Sequence, residues 1–245
     1  MNYWKKHIPP SLKVLIRQTI RKGMDIFNGN DQKFAAALSY QNNFYTNIEI
    51  TQVVKTTPTT LNKIHNLSLA IKQINNLTIQ PGQIFSFWKL VGHPSEKNGY
   101  QKSRSIVKGE LETAVGGGLC QLSGLIYFLA LKAGLTIIER HAHSMDIYTE
   151  EERFTPLGSD ATVVYGYKDL RIQNCFSYDI ALKITLTENT LTACLLAPEK
   201  FDIADIEFDY ETSGNYKEVK TIQKKGGHSK QIASNRYFLL HPQKP

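Results

Sequence analysis

The sequence predicts an α+β fold in which N-terminal helices precede a mainly antiparallel β-sheet core, with a nucleophile-bearing helix after a Gly-rich loop. Helical periodicity is concentrated early in the chain, whereas later segments are short and rich in β-branched and aromatic residues. The 245 residues are enough for one good core. We therefore expect a basic helical segment at 1–40, the main domain at 41–200, and a β-rich extension at 201–245 packed on the same domain.

The composition excludes several classes of protein. Hydrophobic residues make up 41% and charged residues 21%, which is typical of neither a disordered chain nor a membrane protein. The three cysteines are odd in number and widely spaced, so they do not form a disulfide framework. The net charge of +7 allows anionic partners, but the basic runs lack a nucleic-acid-binding fingerprint, and no nucleic acid partner is expected.

The lengths of the apolar runs in the sequence bear on where the protein is located. The longest early run, residues 14–16, is too short for a signal peptide, and residues 125–131 fall far short of the ~20 needed to cross a membrane. We therefore expect a cytoplasmic or inner-membrane-associated protein.

The first predicted helix follows Pro9 and Pro10 and is basic and amphipathic. Apolar residues at helical spacing alternate with cations in Leu12, Lys13, Leu15, Ile16, Arg17, Ile20 and Arg21. Two interpretations stay open: the apolar face packs on the body of the protein, or the helix contacts an anionic membrane surface.

A second helix begins near Thr59 or Thr60 and ends before Pro81. Its apolar positions recur at a period near 3.6 and should face the core: Leu61, Ile64, Leu67, Ile71 and Ile74.

The elements after Pro81-Gly82 are mostly short strands. Residues 84–88 predict a strand, and 105–107 and 111–115 predict two more around Lys108-Gly109. An apolar helix at 121–133 follows three glycines and is closed by Gly134. The remaining predicted strands are 136–139, 161–165, 170–173, 180–186, 191–196, 206–210, 216–222 and 236–240.

The most informative stretch is residues 116–123, in which Gly116, Gly117 and Gly118 are followed by Cys120 at the start of that helix. The unpaired amides of a helix N-terminus stabilise a thiolate and can bind an oxyanion. The alternative is that Cys120 is a small buried hydrophobic residue. Cys175 and Cys194 lie in strand-like runs without such a loop, and we expect both in the core.

A base for Cys120 is available in the segment Arg140-His141-Ala142-His143-Ser144, which follows a predicted strand. The two histidines point to one side if that strand continues, and Asp160 precedes the next strand, where it can accept a hydrogen bond from a histidine ring. A zinc site at Cys120, His141 and His143 is the other chemical use of these residues. The chain has no CxxC or HExxH element, so we predict neither a metal site nor another cofactor.

Several of these segments closely resemble the VanW family, which is named for an accessory protein of glycopeptide-resistance clusters. The resemblance covers roughly residues 40 to 200. It rests on the segments 80–88 (QPGQIFSFW), Gly99-Tyr100, 116–123 (GGGLCQLS), 140–144 (RHAHS) and 160–162 (DAT).

The resemblance implies a role in peptidoglycan metabolism and antibiotic (vancomycin) resistance. Some multidomain proteins with a similar domain look like L,D-transpeptidases that use the cysteine of the glycine motif. This implies Cys120 as the nucleophile, His143 as the base and Asp160 as the group that orients it, in an acyltransferase that forms a thioester. The substrate would be a peptidoglycan stem peptide or a cell-wall precursor, and the alternative is a non-catalytic precursor-binding or accessory protein. We expect the flanking residues to bind substrate: Gly116, Gly117, Gly118, Gln121, Ser123, Arg140 and His141.

Overall fold

The computed structural model describes residues 9–36, 44–107, 110–149, 153 and 155–240. In these parts of the chain the helices are α1 (Pro10–Phe27), α2 (Thr60–Ile74), α3 (Phe87–Val91) and α4 (Leu119–Ala133), with a 3-10 turn at Glu96–Asn98. The strands are β1 (Tyr45–Val53), β2 (Leu77–Ile79), β3 (Ile84–Ser86), β4 (Lys102–Val107), β5 (Glu110–Val115), β6 (Thr136–Glu139), β7 (Met145–Asp146), β8 (Arg171–Gln173), β9 (Ile180–Leu186), β10 (Thr190–Ala197), β11 (Asp205–Ser213), β12 (Tyr216–Lys225) and β13 (His228–Leu239). The predicted Lys108-Gly109 turn lies outside the described residues.

The strands form four sheets, with orders β1-β10-β9-β2, β11-β12-β13-β7, β3-β8-β6 and β4-β5. Pairing is antiparallel throughout these sheets except between β13 and the two-residue β7. The α+β class and the mainly antiparallel core that the sequence predicts are therefore confirmed.

Helix α4 is the centre of the core. Its side chains Leu122, Leu125 and Leu129 are at most 1% exposed, and the helix packs against α2, β1 and β10. A helix that is apolar on nearly all sides is stable only when it is surrounded. It ends at Gly134, whose positive φ of 77° provides the left-handed cap predicted from the sequence. The rigid packing of α4 fixes the position of its first turn, where Cys120 lies.

Two of the predicted strands differ in the structure. The strand expected at 84–88 ends at Ser86, because the Ser86 hydroxyl accepts a 3.4 Å hydrogen bond from the amide of Lys89 and caps α3. The segment 161–165 forms no regular strand and is held instead by single contacts, such as the 2.7 Å hydrogen bond from Thr162 N to His141 O. In α2, Leu67, Ile71 and Ile74 are buried as expected, whereas Leu61 is 81% exposed.

Helix α1 is attached to the body through polar side chains. Asp25 accepts a hydrogen bond of 2.6 Å from Arg171, and Arg21 forms a 2.5 Å ion pair with Glu139. Val14 lies against Gly166, but most apolar side chains of α1 point the other way and are 42–90% exposed: Leu12, Leu15, Ile16, Ile20, Met24, Ile26 and Phe27. Most of the apolar face of α1 is therefore not packed on the described residues of the body.

Candidate active site

The glycine loop between β5 and α4 places Cys120 in the first turn of α4. Gly117 passes so close to β4 that a Cβ atom there would lie 2.3 Å from the carbonyl oxygen of Ser103. Gly118 is the N-cap residue and has φ of 99°, a conformation that residues with a Cβ rarely adopt. The loop therefore requires glycine for two separate physical reasons, close approach and backbone conformation.

The imidazole of His143 lies between Cys120 and Asp160. Its Nδ1 is 2.8 Å from Asp160 Oδ2, and the same oxygen accepts a 2.7 Å hydrogen bond from the His143 backbone amide. Because Asp160 engages Nδ1, Nε2 is the ring nitrogen left to interact with Cys120, whose thiol donates a 3.8 Å hydrogen bond to Val163 O. The structure thus brings together the three residues predicted as nucleophile, base and orienting carboxylate.

The second carboxylate oxygen of Asp160 is held by two residues. The Tyr237 hydroxyl donates a 2.6 Å hydrogen bond to Oδ1, and Arg140 Nη2 donates to the same oxygen at 3.0 Å. Arg140 also donates to the backbone oxygens of Gly158 and Asp160, and to the side chain of Asn235. With only 5% of its side chain exposed, Arg140 fixes Asp160 from inside the protein.

These contacts set the ionisation of the site. Burial alone would raise the pKa of Cys120, but the hydrogen bond and positive charge of His143 outweigh it, so that this pKa is lowered. Burial would lower the pKa of His143, yet the hydrogen bonds with Asp160 and Cys120 raise it to about 10. The pKa of Asp160 lies well below its usual range: burial opposes this, but the hydrogen bond from His143 and the charge of Arg140 prevail. The three contacts therefore favour a protonated imidazole at His143 and make the Cys120 thiol easier to ionise than an ordinary thiol.

Cys120 opens onto a cleft of about 560 Å³. Gly116, Gly118 and Gln121 line it beside the cysteine, and His143 and Asp160 line it from the other side. A cleft of this size is within the range of small-molecule and short-peptide sites. Cys120 is therefore partly exposed, lies on the wall of this cleft and has a lowered pKa.

Three polar atoms of the cleft are buried and have no hydrogen-bond partner among the described residues: Gln52 Oε1, Gln121 Oε1 and Thr162 Oγ1. The Gln121 amide nitrogen is engaged, because it donates to Val53 O at 2.9 Å. Buried polar groups in folded proteins are almost always satisfied. Because these atoms are buried behind the surface of the cleft, a ligand contacts them only after their side chains rearrange.

The other predicted substrate-binding residues lie beside the cleft. Gly117 is packed against β4, and Ser123 is fully buried, where its hydroxyl donates to Ala161 O at 2.7 Å. His141 turns away from Cys120 and lies 3.0 Å from Glu139 Oε1, because the chain leaves strand geometry after β6 and the two histidines do not share a face.

The structure also locates the three cysteines and the side chains that could bind a metal ion. All three thiols are free; Cys194 is buried, as expected, whereas Cys175 is exposed, so its predicted core position is wrong. Within the described ranges no three His, Cys, Asp or Glu side chains form a group that could hold a metal ion. None of the helices found there is long and apolar enough to cross a membrane.

Sequence reasoning missed Tyr237 and Asn235, which reach the site from β13. They lie 77 and 95 residues from their partners Asp160 and Arg140 in sequence, with no local motif around them. Their only sequence signal is the strand-like run that contains Tyr237, which predicts the strand but not its position.

Comparisons with known proteins show which sequences this chain is similar to. A sequence model of the VanW family, described as VanW like protein, matches residues 62–196, just over half of the chain. The vancomycin B-type resistance protein VanW of Enterococcus faecalis is 34% identical over 165 residues, which are 65% of this chain and 60% of that protein. The uncharacterized protein YoaR of Bacillus subtilis is 39% identical over 119 residues, which are 49% of this chain and 38% of that protein. No solved structure matches the chain.

The aligned segments span less than two thirds of either relative. The region matched by the family contains the whole Cys120, His143 and Asp160 constellation, whereas α1 and Tyr237 lie outside it. Because the match covers more than half of the chain and includes the glycine loop, the chain belongs to the VanW family.

Proposed function

We propose that the protein is a cysteine acyltransferase of the L,D-transpeptidase type that acts on stem peptides of peptidoglycan or of its precursors. The observation that carries this proposal is the Cys120, His143 and Asp160 arrangement at the edge of an open cleft. An ionised cysteine with a histidine that is itself oriented by a carboxylate is the arrangement used for nucleophilic attack on carbonyl carbon.

The proposed reaction has two steps. The Cys120 thiolate attacks a peptide carbonyl, and the His143 imidazolium gives its proton to the leaving amine as the C–N bond breaks, which leaves a thioester. An acceptor amine then attacks the thioester, His143 takes a proton from that amine, and the C–S bond breaks to regenerate the thiolate. Asp160 stays ionised in both steps and keeps Nδ1 protonated.

The first turn of α4 supplies the means to stabilise the negative oxygen of each tetrahedral intermediate. The amides of Leu119 and Gln121 donate to Gly116 O and Gly118 O, at 3.4 and 3.0 Å. Among the described residues, the Cys120 amide has no backbone acceptor. An amide of this kind at a helix N-terminus is suited to an oxyanion.

The test is an exchange assay with stem peptides as acyl donors and an isotope-labelled D-amino acid as the acceptor amine. We expect labelled product from the wild type and none from Cys120→Ala. The matched control is Cys175→Ala, which removes an exposed thiol outside the cleft and should leave exchange unchanged. Equal product from Cys120→Ala would overturn the proposal.

The second candidate is a precursor-binding protein without catalysis, with a role in glycopeptide (vancomycin) resistance. The cleft itself favours it, because a volume of about 560 Å³ suits a short peptide whether or not Cys120 reacts. Calorimetry separates the two functions. Stem-peptide affinity in Cys120→Ala, together with no exchange by the wild type, would support binding alone.

We also propose that α1 contacts an anionic membrane surface. Its outward face carries Leu15, Ile16 and Phe27, and Lys13 and Lys22 flank this face. An apolar face bordered by cations is typical of helices that lie in the lipid interface. The expected result is co-sedimentation with vesicles containing anionic lipid, and weaker co-sedimentation after Ile16→Asp. Binding unaffected by that change, or equally strong to neutral vesicles, would refute it.

A further inference from the structure

Three basic side chains from separate elements meet at the cleft. Lys55 follows β1, Lys63 lies in α2 and Arg104 is on β4, and all three line the same cleft as Cys120. They converge although like charges repel, so the fold holds positive charge together at this place.

None of the described carboxylates forms an ion pair with these three cations. Of the residues that the structure describes, two acids line the cleft and both are engaged elsewhere: Asp146 pairs with Arg153 at 2.6 Å and Asp160 with His143 at 2.8 Å. Lys55 Nζ lies 4.6 Å above the ring of Tyr148, which is a cation–π contact and does not neutralise its charge.

Lys63 connects the cluster to the nucleophile. A Cβ atom at Gly118 would lie 2.6 Å from Lys63 Cγ, so the aliphatic part of the lysine side chain covers the glycine loop two residues before Cys120. Burial, together with the charges of Arg104 and Lys55, lowers the pKa of Lys63 to about 8. An anion bound among these groups would relieve both their repulsion and the desolvation of the ammonium group.

We propose that Lys55, Lys63 and Arg104 bind the free terminal carboxylate of the acyl-donor peptide. The proposal rests on the acyltransfer function proposed above and adds to it the residues that bind the C-terminus of the donor. In a donor cleaved at its last peptide bond, the terminal carboxylate lies within a few bonds of the carbonyl that Cys120 attacks. Lys63 of the cluster lies against Gly118, two residues before Cys120, and Lys55 and Arg104 line the same cleft. The charge of the cluster thereby fixes the register of the peptide in the cleft.

The test is calorimetry on Cys120→Ala, which does not depend on turnover, with a stem peptide as the free acid and as the C-terminal amide. We expect the acid to bind at least tenfold more tightly than the amide, and Lys63→Met to abolish this preference. Lys72→Met is the matched control, because Lys72 is on the same helix, is exposed and does not line the cleft. It should keep the full preference.

Equal affinity for the acid and the amide, binding of neither, or tighter binding of inorganic phosphate than of the acid would each overturn the carboxylate subsite. Labelled exchange by the wild type tests the acyltransferase separately, so the subsite can fail while that function stands. Thermal unfolding checks the variant itself. We expect Lys63→Met to be at least as stable as the wild type, because it removes a partly buried charge that has no described acidic partner.

Discussion

The substitution Asp160→Asn separates ionisation of the cysteine from the shape of the site. Asparagine keeps the size of the side chain but removes the charge that accepts hydrogen bonds from His143, Arg140 and Tyr237. The imidazolium then loses its main partner. We expect the pKa of His143 to fall and that of Cys120 to rise toward the value of an ordinary thiol, ~8.5.

The magnitude follows from the pKa of His143, which the folded protein raises from 6.5 to about 10. That difference corresponds to roughly 5 kcal/mol in favour of the imidazolium, supplied largely by Asp160 and Cys120. Below the pKa of a thiol, each unit by which that pKa rises lowers the thiolate fraction about tenfold. Because a more basic thiolate is also more nucleophilic by about threefold per unit, the alkylation rate at pH 6.5 should fall about threefold for each unit by which the pKa of Cys120 rises.

The assay is the rate of alkylation by iodoacetamide between pH 5.5 and 10, in a Cys175→Ser background because Cys175 is exposed. With Asp160 present, the alkylation rate of Cys120 should reach its plateau at a lower pH than in Asp160→Asn, because the pKa of the thiol is lowered. In Asp160→Asn it should rise with pH as an ordinary thiol does, and circular dichroism should show an intact fold. Identical pH profiles for the two proteins would refute the assigned role of Asp160.

Three further predictions concern the surroundings of the site. Tyr237→Phe removes one hydrogen bond to Asp160, so we expect a modest loss of alkylation rate at pH 6.5 and little change at pH 9; loss at both pH values would indicate a structural defect instead. Gly117→Ala should lower the free energy of unfolding by about 1–3 kcal/mol in urea denaturation, because the new Cβ atom would clash with the backbone of β4. The control Gly23→Ala, at an open position in helix α1, should be neutral or stabilising. Because the folded protein raises the pKa of His143, the stabilising contribution of this residue is complete below pH ~6.5 and is lost as the pH rises through about 10. The difference in the free energy of unfolding between the wild type and His143→Gln should therefore shrink over that range. A difference that grows with pH would contradict this.

Local sequence signals predicted the fold class and the position of Cys120. Glycines that end β5, an apolar helical run and Gly134 are short-range features, and the structure reproduces all of them. The choice between His141 and His143 depended on the family resemblance. Alternation along a strand would place both on one face, whereas the chain after β6 is irregular and separates them.

The features that could not be predicted depend on contacts between distant residues. Tyr237 reaches Asp160 only because β11, β12 and β13 fold back beside the irregular segments around His143 and Asp160. The orientation of α1 depends on the pairing of Asp25 with Arg171, which lies 146 residues away. The amphipathic pattern of α1 correctly identified its apolar face but did not show that this face points outward.

The most direct test of the central claim is intact-mass spectrometry of the wild type after brief mixing with a stem peptide at pH 7. The account predicts a mass increase equal to the acyl part of the peptide, located on Cys120 and removed by hydroxylamine as a thioester is. The absence of any adduct across a set of stem peptides, while iodoacetamide still alkylates Cys120 at the same pH, would contradict it.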